Sequence, residues 1–222
     1  MARLRRANWV AAVAFTVGGS LFSVGAAVAQ VGSGNATTAA SVYFAGGLFF
    51  NTGGYSSLLL AINTPNGGEP GSWRWWSYDP LRLAWLSAFL LFAGTIVFGI
   101  SLLDSFLDGL TTKQQNRLIW TPEMAGCILF LLSGHLAMRD LCGRPRPCLR
   151  PRDLDWWVVA INQVGSILFT ISALAGFIRP ETQAEWNTAV ANWGTFTGAA
   201  CFAIGGVLQA FDRPAAAAPA VA

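Results

Sequence analysis

Apolar residues dominate six stretches of the chain, and shorter polar stretches separate them. The apolar stretches cover roughly residues 9–31, 40–63, 82–104, 120–139, 155–178 and 188–211. Each approaches or exceeds the ~20 residues that a helix needs to cross about 30 Å of hydrocarbon. Backbone polar groups cannot stay unpaired in lipid, so spanning segments are helices or barrel strands, and these segments are too long for strands. The pattern therefore predicts an all-α membrane protein with six transmembrane helices.

Two spacings of glycine and aromatic residues recur along these segments. The spacing Gly-x3-Phe-x3-Gly places small, large and small side chains on one helix face, because residues four and eight apart share a face. A companion spacing, Trp-x8-Gly-x3-Phe, occurs in the alternate segments. The first set is Gly46, Phe50, Gly54, Gly126, Phe130, Gly134, Gly198, Phe202 and Gly206; the second set is Trp9, Gly18, Phe22, Trp85, Gly94, Phe98, Trp156, Gly165 and Phe169.

The alternation of the two spacings indicates one two-helix unit written three times, over approximately residues 9–63, 82–138 and 156–211. Tandem two-helix units keep their orientation in the membrane, so they are parallel repeats about an axis along the membrane normal. Small residues let neighbouring backbones approach closely in lipid. We therefore predict a single membrane domain with pseudo-threefold symmetry and a Gly/Phe layer at mid-membrane. Residues 213–222, rich in Ala and Pro, are predicted to form a disordered tail.

The first segment also fits some features of a cleaved signal peptide. It has a basic start and a small-residue sequence, Ala27-Val28-Ala29, near its end. Its apolar run is longer than the usual ~7–15 residues of a signal peptide, and it carries the Trp-x8-Gly-x3-Phe spacing. We therefore expect a retained first helix.

Composition agrees with the membrane class, and the placement of charge predicts an orientation. Hydrophobic residues make up 54% of the chain and charged residues 11%, which is too apolar for an ordinary soluble domain. With the N-terminus inside, eleven of the fourteen Lys and Arg residues fall on the inner side. Cytoplasmic loops carry the excess of these residues. We therefore predict that the N- and C-termini are cytoplasmic.

Four polar side chains within the apolar segments are candidates for a polar path across the membrane. They are Asn51, His135, Asn162 and Gln163. Intramembrane polar groups mark substrate and ion paths, but amides also bond across helix interfaces. His135, the one histidine, could relay a proton or sense pH, or it could reach water near the interface. The structural interpretation needs fewer assumptions for all four.

Glu123 follows Thr121 and Pro122 at the predicted start of the fourth segment. Threonine is a good N-cap, proline suits the first helical position, and a carboxylate stabilises the positive end of the helix dipole. We therefore interpret Glu123 as a capping residue, with a functional role as the alternative.

The loop after the fourth segment carries two cysteines and a group of arginines. Cys142 and Cys148 supply half the ligands of a structural zinc site, and facing a reducing cytosol they are predicted to be free thiols. The arginines are candidates for contacts with anionic lipid or, alternatively, with a phosphate-bearing ligand. They are Arg144, Arg146, Arg150 and Arg152.

Aromatic residues and arginines alternate in the connection between the second and third segments. Trp and Tyr side chains favour the headgroup region of a membrane. The stretch is therefore predicted to lie on the inner membrane surface. It is too short for the basic groove of a nucleic-acid binder, so no nucleic-acid partner is expected. The residues concerned are Trp73, Arg74, Trp75, Trp76, Tyr78 and Arg82.

Several strings resemble the YrhK-like domain, a two-helix membrane module of bacteria. They are Gly165-Ser166-Ile167-Leu168-Phe169, Trp193-Gly194-Thr195 and Phe202-Ala203-Ile204-Gly205-Gly206. The resemblance is best over residues 156–214, with degenerate copies at 9–63 and 82–138. The whole chain also looks like six-helix actinobacterial membrane proteins of this kind. The resemblance implies a multi-pass protein of the bacterial plasma membrane, and it carries over no catalytic or binding residue.

Two functions of different classes fit these observations. No spacing typical of an enzyme, a phosphate loop or a metal site occurs, so we expect a non-enzymatic protein without a cofactor. The first function is a structural or accessory role, packing with lipids or partner membrane proteins. The second is a small-solute channel or transporter that uses the four polar residues. Convergence of those side chains on one cavity would favour the second function.

Overall fold

The computed structural model describes residues 2–32, 36–64, 72–143 and 148–211, and most of them are helical. The long helices are α1 (Ala2–Val31), α2 (Ala36–Asn63), α3 (Leu83–Asp104), α5 (Thr121–Cys142), α6 (Leu154–Ala175) and α7 (Thr188–Phe211). A short helix, α4 (Thr112–Gln115), and a π-helical segment, π1 (Asn116–Trp120), continue directly into α5. A two-stranded antiparallel hairpin, β1 (Ile178–Arg179) and β2 (Ala184–Glu185), connects α6 to α7.

Five of the described helices are long and apolar enough to cross a membrane: α1, α3, the continuous helix Thr112–Cys142, α6 and α7. Helix α2 has 28 residues, includes several glycines and serines and Asn51, and is not one of the five. The architecture is therefore all-helical and compatible with a multi-pass integral membrane protein. The sixth span stays a prediction.

The six long helices form a closed ring in chain order. Each packs against the next, and α7 returns to pack against α1. Neighbouring helices are antiparallel: Gln209 near the end of α7 donates a hydrogen bond to Asn8 near the start of α1, and Asn192 donates to Gln30 at the other end of the pair. We call the end with the start of α1 and the end of α7 the terminal end. The opposite end, which carries the β1–β2 hairpin, is the hairpin end.

Glycines allow the first two helices to approach closely. A Cβ added at Gly18 would lie 2.7 Å from the ring of Phe50, and a Cβ at Gly46 would lie 2.7 Å from the ring of Phe22. The latter Cβ would also lie 3.2 Å from the carbonyl oxygen of Gly18, so the two backbones face each other directly. Each phenylalanine thus occupies the space that the facing glycine leaves open.

The same reciprocal contact occurs between α3 and α5 and between α6 and α7. In both pairs, a Cβ added at each glycine would lie about 3 Å from the facing phenylalanine side chain. A Cβ added at Gly126 would lie 3.1 Å from the Gly94 carbonyl oxygen, and one added at Gly198 would lie 3.0 Å from the Gly165 carbonyl oxygen. The glycine–ring pairs are Gly94 with Phe130, Gly126 with Phe98, Gly165 with Phe202 and Gly198 with Phe169. Three consecutive helix pairs therefore share one packing arrangement.

The six phenylalanines of these contacts meet inside the ring and form a phenylalanine cluster (Phe22, Phe50, Phe98, Phe130, Phe169 and Phe202). The centroids of Phe22, Phe98 and Phe169 form a triangle with sides of 5.7, 6.2 and 6.4 Å. The ring centroid of Phe202 lies within 6.0 Å of the centroids of Phe50, Phe130 and Phe169. The space left beside the rings is only about 10 Å³. The cluster therefore closes the middle of the ring.

The fourth predicted segment begins earlier than its sequence indicates. Its helix starts at Thr112, where the side chain of Thr111 accepts from the Gln114 amide and the Gln114 side chain accepts from the Thr111 amide. Pro122 lacks an N–H, and the wider π1 turn directly before it lets the helix continue. Thr121 and Glu123 therefore lie inside a continuous helix and do not cap its start, which corrects the capping interpretation.

Cys142 and Cys148 form a disulfide, so the prediction of free thiols is wrong. Gly143 ends α5 in the left-handed conformation, with φ of 61°, and turns the chain back on itself. The indole N–H of Trp156 donates to the Cys148 carbonyl at 2.6 Å and ties the loop to α6. The two cysteines are only six residues apart, and the prediction of free thiols considered the compartment alone.

Candidate functional site

A cavity of about 550 Å³ lies inside the ring at the hairpin end, and we call it the end cavity. All six long helices contribute to its walls, together with π1 and the β1–β2 hairpin. Phe22 and Phe98 of the phenylalanine cluster form its floor, since they line both this cavity and the small space within the cluster. Its volume falls within the ~300–1,000 Å³ that is usual for small-molecule sites.

The β1–β2 hairpin is held over the cavity by Asn116 of π1. The Asn116 amide donates to the Ile178 carbonyl at 2.7 Å, and the Ile178 N–H donates back to the Asn116 side chain at 3.1 Å. Ile178 pairs with Glu185 across the hairpin. This docking therefore brings Glu185 to the cavity wall.

Trp120, the last residue of π1, connects the continuous helix to α6. Its indole N–H donates to the Ala173 carbonyl at 2.7 Å, and its ring meets Phe177 edge-on at a centroid distance of 5.0 Å. Glu123 follows three residues later, on the same helix face. Both side chains line the end cavity.

Two acidic side chains, Glu123 and Glu185, line the end cavity. Glu123 and Glu185 repel each other, and both interact electrostatically with Tyr43. Neither carboxyl group forms an ion pair within the described residues. The salt bridge found in those residues joins Arg82 and Asp79 at the terminal end. Oε2 of Glu185 is buried and has no hydrogen-bond partner there. The described lining residues include no Lys, Arg or His.

The serine, threonine and asparagine side chains of the wall are already hydrogen-bonded. The Ser172 hydroxyl donates to the Ala191 carbonyl at 2.5 Å and lies 2.7 Å from the Thr195 hydroxyl. The Asn192 amide donates to Gln30 at 3.1 Å. The carboxyl groups of Glu123 and Glu185 and the hydroxyl of Tyr43 are the polar groups of the wall that have no hydrogen bond within the described residues.

The four residues of the predicted polar path do not come together. Asn51 lies between α2 and α3, Gln163 between α5 and α6, and Asn162 between α6 and α7, each against a glycine of the neighbouring helix. His135 is exposed on α5. None of the four lines the end cavity. Asn51 faces Gly99, Gln163 faces Gly134, and Asn162 faces Gly205.

Arg150, Arg152 and the tryptophan candidates lie at the terminal end. Arg150 and Arg152 are exposed, and Arg144 and Arg146 lie outside the described residues. Trp75 and Trp76, in the connection between α2 and α3, are also exposed.

Three residues of the end cavity were missed by the sequence interpretation: Tyr43, Trp120 and Glu185. Tyr43 and Trp120 read as ordinary aromatic residues at the ends of apolar segments. Glu185 lies in a polar connection, and only the docking of the hairpin brings it to the wall. In the sequence, Glu123 was the residue that indicated this site, because a carboxylate within an apolar segment marks a functional site by default.

The described residues hold no group of three or more His, Cys, Asp or Glu side chains that could bind a metal ion. The chain matches no protein-family model, and comparisons with curated proteins and with solved structures return no similar protein.

Proposed function

We propose that the protein is a multi-pass protein of the bacterial plasma membrane that binds a small solute in the end cavity. The observation that carries this proposal is the cavity of about 550 Å³, which combines an apolar, aromatic floor with two acidic side chains that form no ion pair within the described residues. Concave sites of this size, mostly apolar with a few convergent polar groups, are the usual small-molecule sites of proteins.

The phenylalanine cluster separates the end cavity from the terminal end. A dry constriction of packed rings blocks ions and polar solutes. The proposed activity is therefore binding from one side, as in a receptor or in one closed state of a carrier. Transport would require the rings to part. The separate positions of Asn51, His135, Asn162 and Gln163 favour binding over the predicted polar path.

A structural or accessory role is the second candidate, and the shared packing of the three helix pairs favours it. Close glycine contacts are what a bundle needs in order to assemble in lipid, with or without a ligand. In this role the partners are the bilayer, anionic lipids near Arg150 and Arg152, and other membrane proteins. The same contacts support the proposals of a threefold repeat and of kinship with the YrhK-like domain. Neither candidate is an enzyme.

The distribution of Lys and Arg supports cytoplasmic termini. In this proposed orientation the end cavity opens toward the outer side of the membrane. The solute would then reach it without crossing the bilayer.

Solute binding can be tested with purified protein in lipid nanodiscs. A solute library is screened by the quenching of tryptophan fluorescence, because Trp120 lines the cavity. Ala40→Phe places a ring in the cavity, whereas Leu48→Phe changes an exposed residue of the same helix. We expect binding by the wild-type protein and by Leu48→Phe, and its loss in Ala40→Phe.

Equal binding by the two variants would place the solute elsewhere and refute the proposal. If no library member binds, while a membrane protein consistently co-purifies with the chain, the accessory role is the better conclusion.

A liposome flux assay of the wild-type protein and Asn162→Leu completes the test. Flux that disappears in Asn162→Leu would restore the predicted polar path.

A further inference from the structure

We infer that the end cavity takes an organic cation, with an ammonium group between Glu123 and Glu185 and its hydrocarbon part against the aromatic wall. This inference rests on the proposed function, and it names the chemical class of the solute.

The charge of the site is the first argument. Two carboxylates line the cavity and repel each other, and no basic side chain of the described lining offsets them. One oxygen of Glu185 is buried without a hydrogen-bond partner in the described chain. A carboxylate removed from water and left unpaired is unfavourable, so a cation that enters the cavity removes that penalty at both groups.

The size and ligand set of the site argue against a metal ion. Calcium takes 6–8 oxygen ligands and magnesium about six, whereas this wall supplies two carboxylates. The described residues contain no larger cluster of metal ligands, as noted above. A cavity of about 550 Å³ is also far larger than a bare ion requires.

Aromatic side chains favour an organic cation over a hydrated inorganic one. Phe22, Tyr43, Phe98 and Trp120 all line the cavity. The faces of aromatic rings attract alkylammonium groups, and the attraction is stronger where water is excluded. Phe22 and Phe98 belong to the floor, which the phenylalanine cluster closes on the side of the terminal end. An anion would be repelled by the carboxylates, and a neutral solute would leave them unpaired.

The test compares choline with its neutral isostere 3,3-dimethyl-1-butanol by isothermal titration calorimetry in nanodiscs. Sodium and magnesium chloride are titrated separately as inorganic cations. The variants are Glu123→Gln and Glu185→Gln, with Glu181→Gln as the matched control, because Glu181 is an exposed carboxylate of the same hairpin turn. Tetraethylammonium serves as a second, larger cation.

We expect choline or tetraethylammonium to bind, and the neutral alcohol to bind at least about tenfold more weakly. Removal of one carboxylate from a desolvated charge pair should weaken cation binding by about 30-fold, whereas Glu181→Gln should stay within about twofold of the wild type. Glu123→Asp, which keeps the charge, should retain more affinity than Glu123→Gln. This comparison separates loss of charge from loss of folding.

Two results would overturn the inference. Equal binding of choline and the neutral alcohol, with no loss in either glutamine variant, would leave a solute site without cation selectivity, and the proposed function would stand. Absence of binding by both organic cations would refute the cation class. The library screen with Ala40→Phe would then decide the proposed function independently.

Discussion

Gly206→Ala is the sharpest test of the idea that glycines set the distances between helices. A Cβ at Gly206 of α7 would lie 2.7 Å from the Ala12 carbonyl oxygen and 2.7 Å from the Thr16 amide nitrogen of α1. Ordinary contact begins at 3.4 Å, so α1 and α7 must separate locally by about 0.7 Å. Both obstructing atoms belong to the backbone, so no side-chain rotation relieves the clash. Overpacking of this kind destabilises a protein by about 1–3 kcal/mol.

The assay is unfolding in mixed micelles with increasing SDS, followed by far-ultraviolet circular dichroism. Gly176→Ala is the control, because its Cβ would meet nothing closer than 3.6 Å and its φ of −77° suits alanine. We expect Gly206→Ala to lower the free energy of unfolding by about 2–3 kcal/mol and Gly176→Ala to change it by less than about 0.5 kcal/mol. Indistinguishable unfolding curves for Gly206→Ala and the wild type would refute the reasoning.

Three further predictions concern polar contacts. The buried hydroxyls of Ser87 and Ser133 each donate to the other residue's carbonyl at 2.9 Å. Each Ser→Ala change should lower the free energy of unfolding in SDS by about 1 kcal/mol. The effect of the double variant should differ from the sum of the two single effects, because the residues are in contact. Asn116→Ala removes both bonds that dock the hairpin, so faster hydrogen exchange in β1 and β2 is expected, while unchanged exchange would contradict the docking role. Cys142→Ser opens the six-residue disulfide loop and should cost about 2 kcal/mol, and the reduced wild type should lose the same amount.

The helical architecture followed from local properties of the chain. Each apolar run is long enough to span lipid, and the six long helices follow the predicted segments. The bounds agree within about four residues, apart from the start of the first helix, at Ala2 instead of residue 9, and the start of the fourth. The exception at the fourth helix has a local cause. Pro122 normally indicates a helix start, but the π1 turn before it admits a proline in mid-helix. The capping residues that do start the helix, Thr111 and Gln114, lie in a polar stretch without apolar periodicity.

The end cavity could not be predicted, because its charged residues meet through tertiary contacts. Glu123 and Glu185 are far apart in sequence, and their approach depends on the docking of a four-residue β-pairing onto Asn116. Spacing rules describe one helix face at a time, so they do not report what two elements bring together. The amides of Asn162 and Gln163 illustrate the same limit: they are adjacent in sequence but face different neighbouring helices.

The disulfide lies at the same end of the ring as most of the arginines. In the proposed orientation this end faces the cytoplasm, whereas disulfides persist in compartments that oxidise thiols. The oxidation state of Cys142 and Cys148 in living cells therefore reports the topology of the whole molecule. Alkylation of thiols before lysis reads it directly. A reduced pair would indicate that the terminal end is cytoplasmic and that the end cavity opens to the exterior. An oxidised pair would indicate the opposite orientation, with the end cavity open to the cytoplasm.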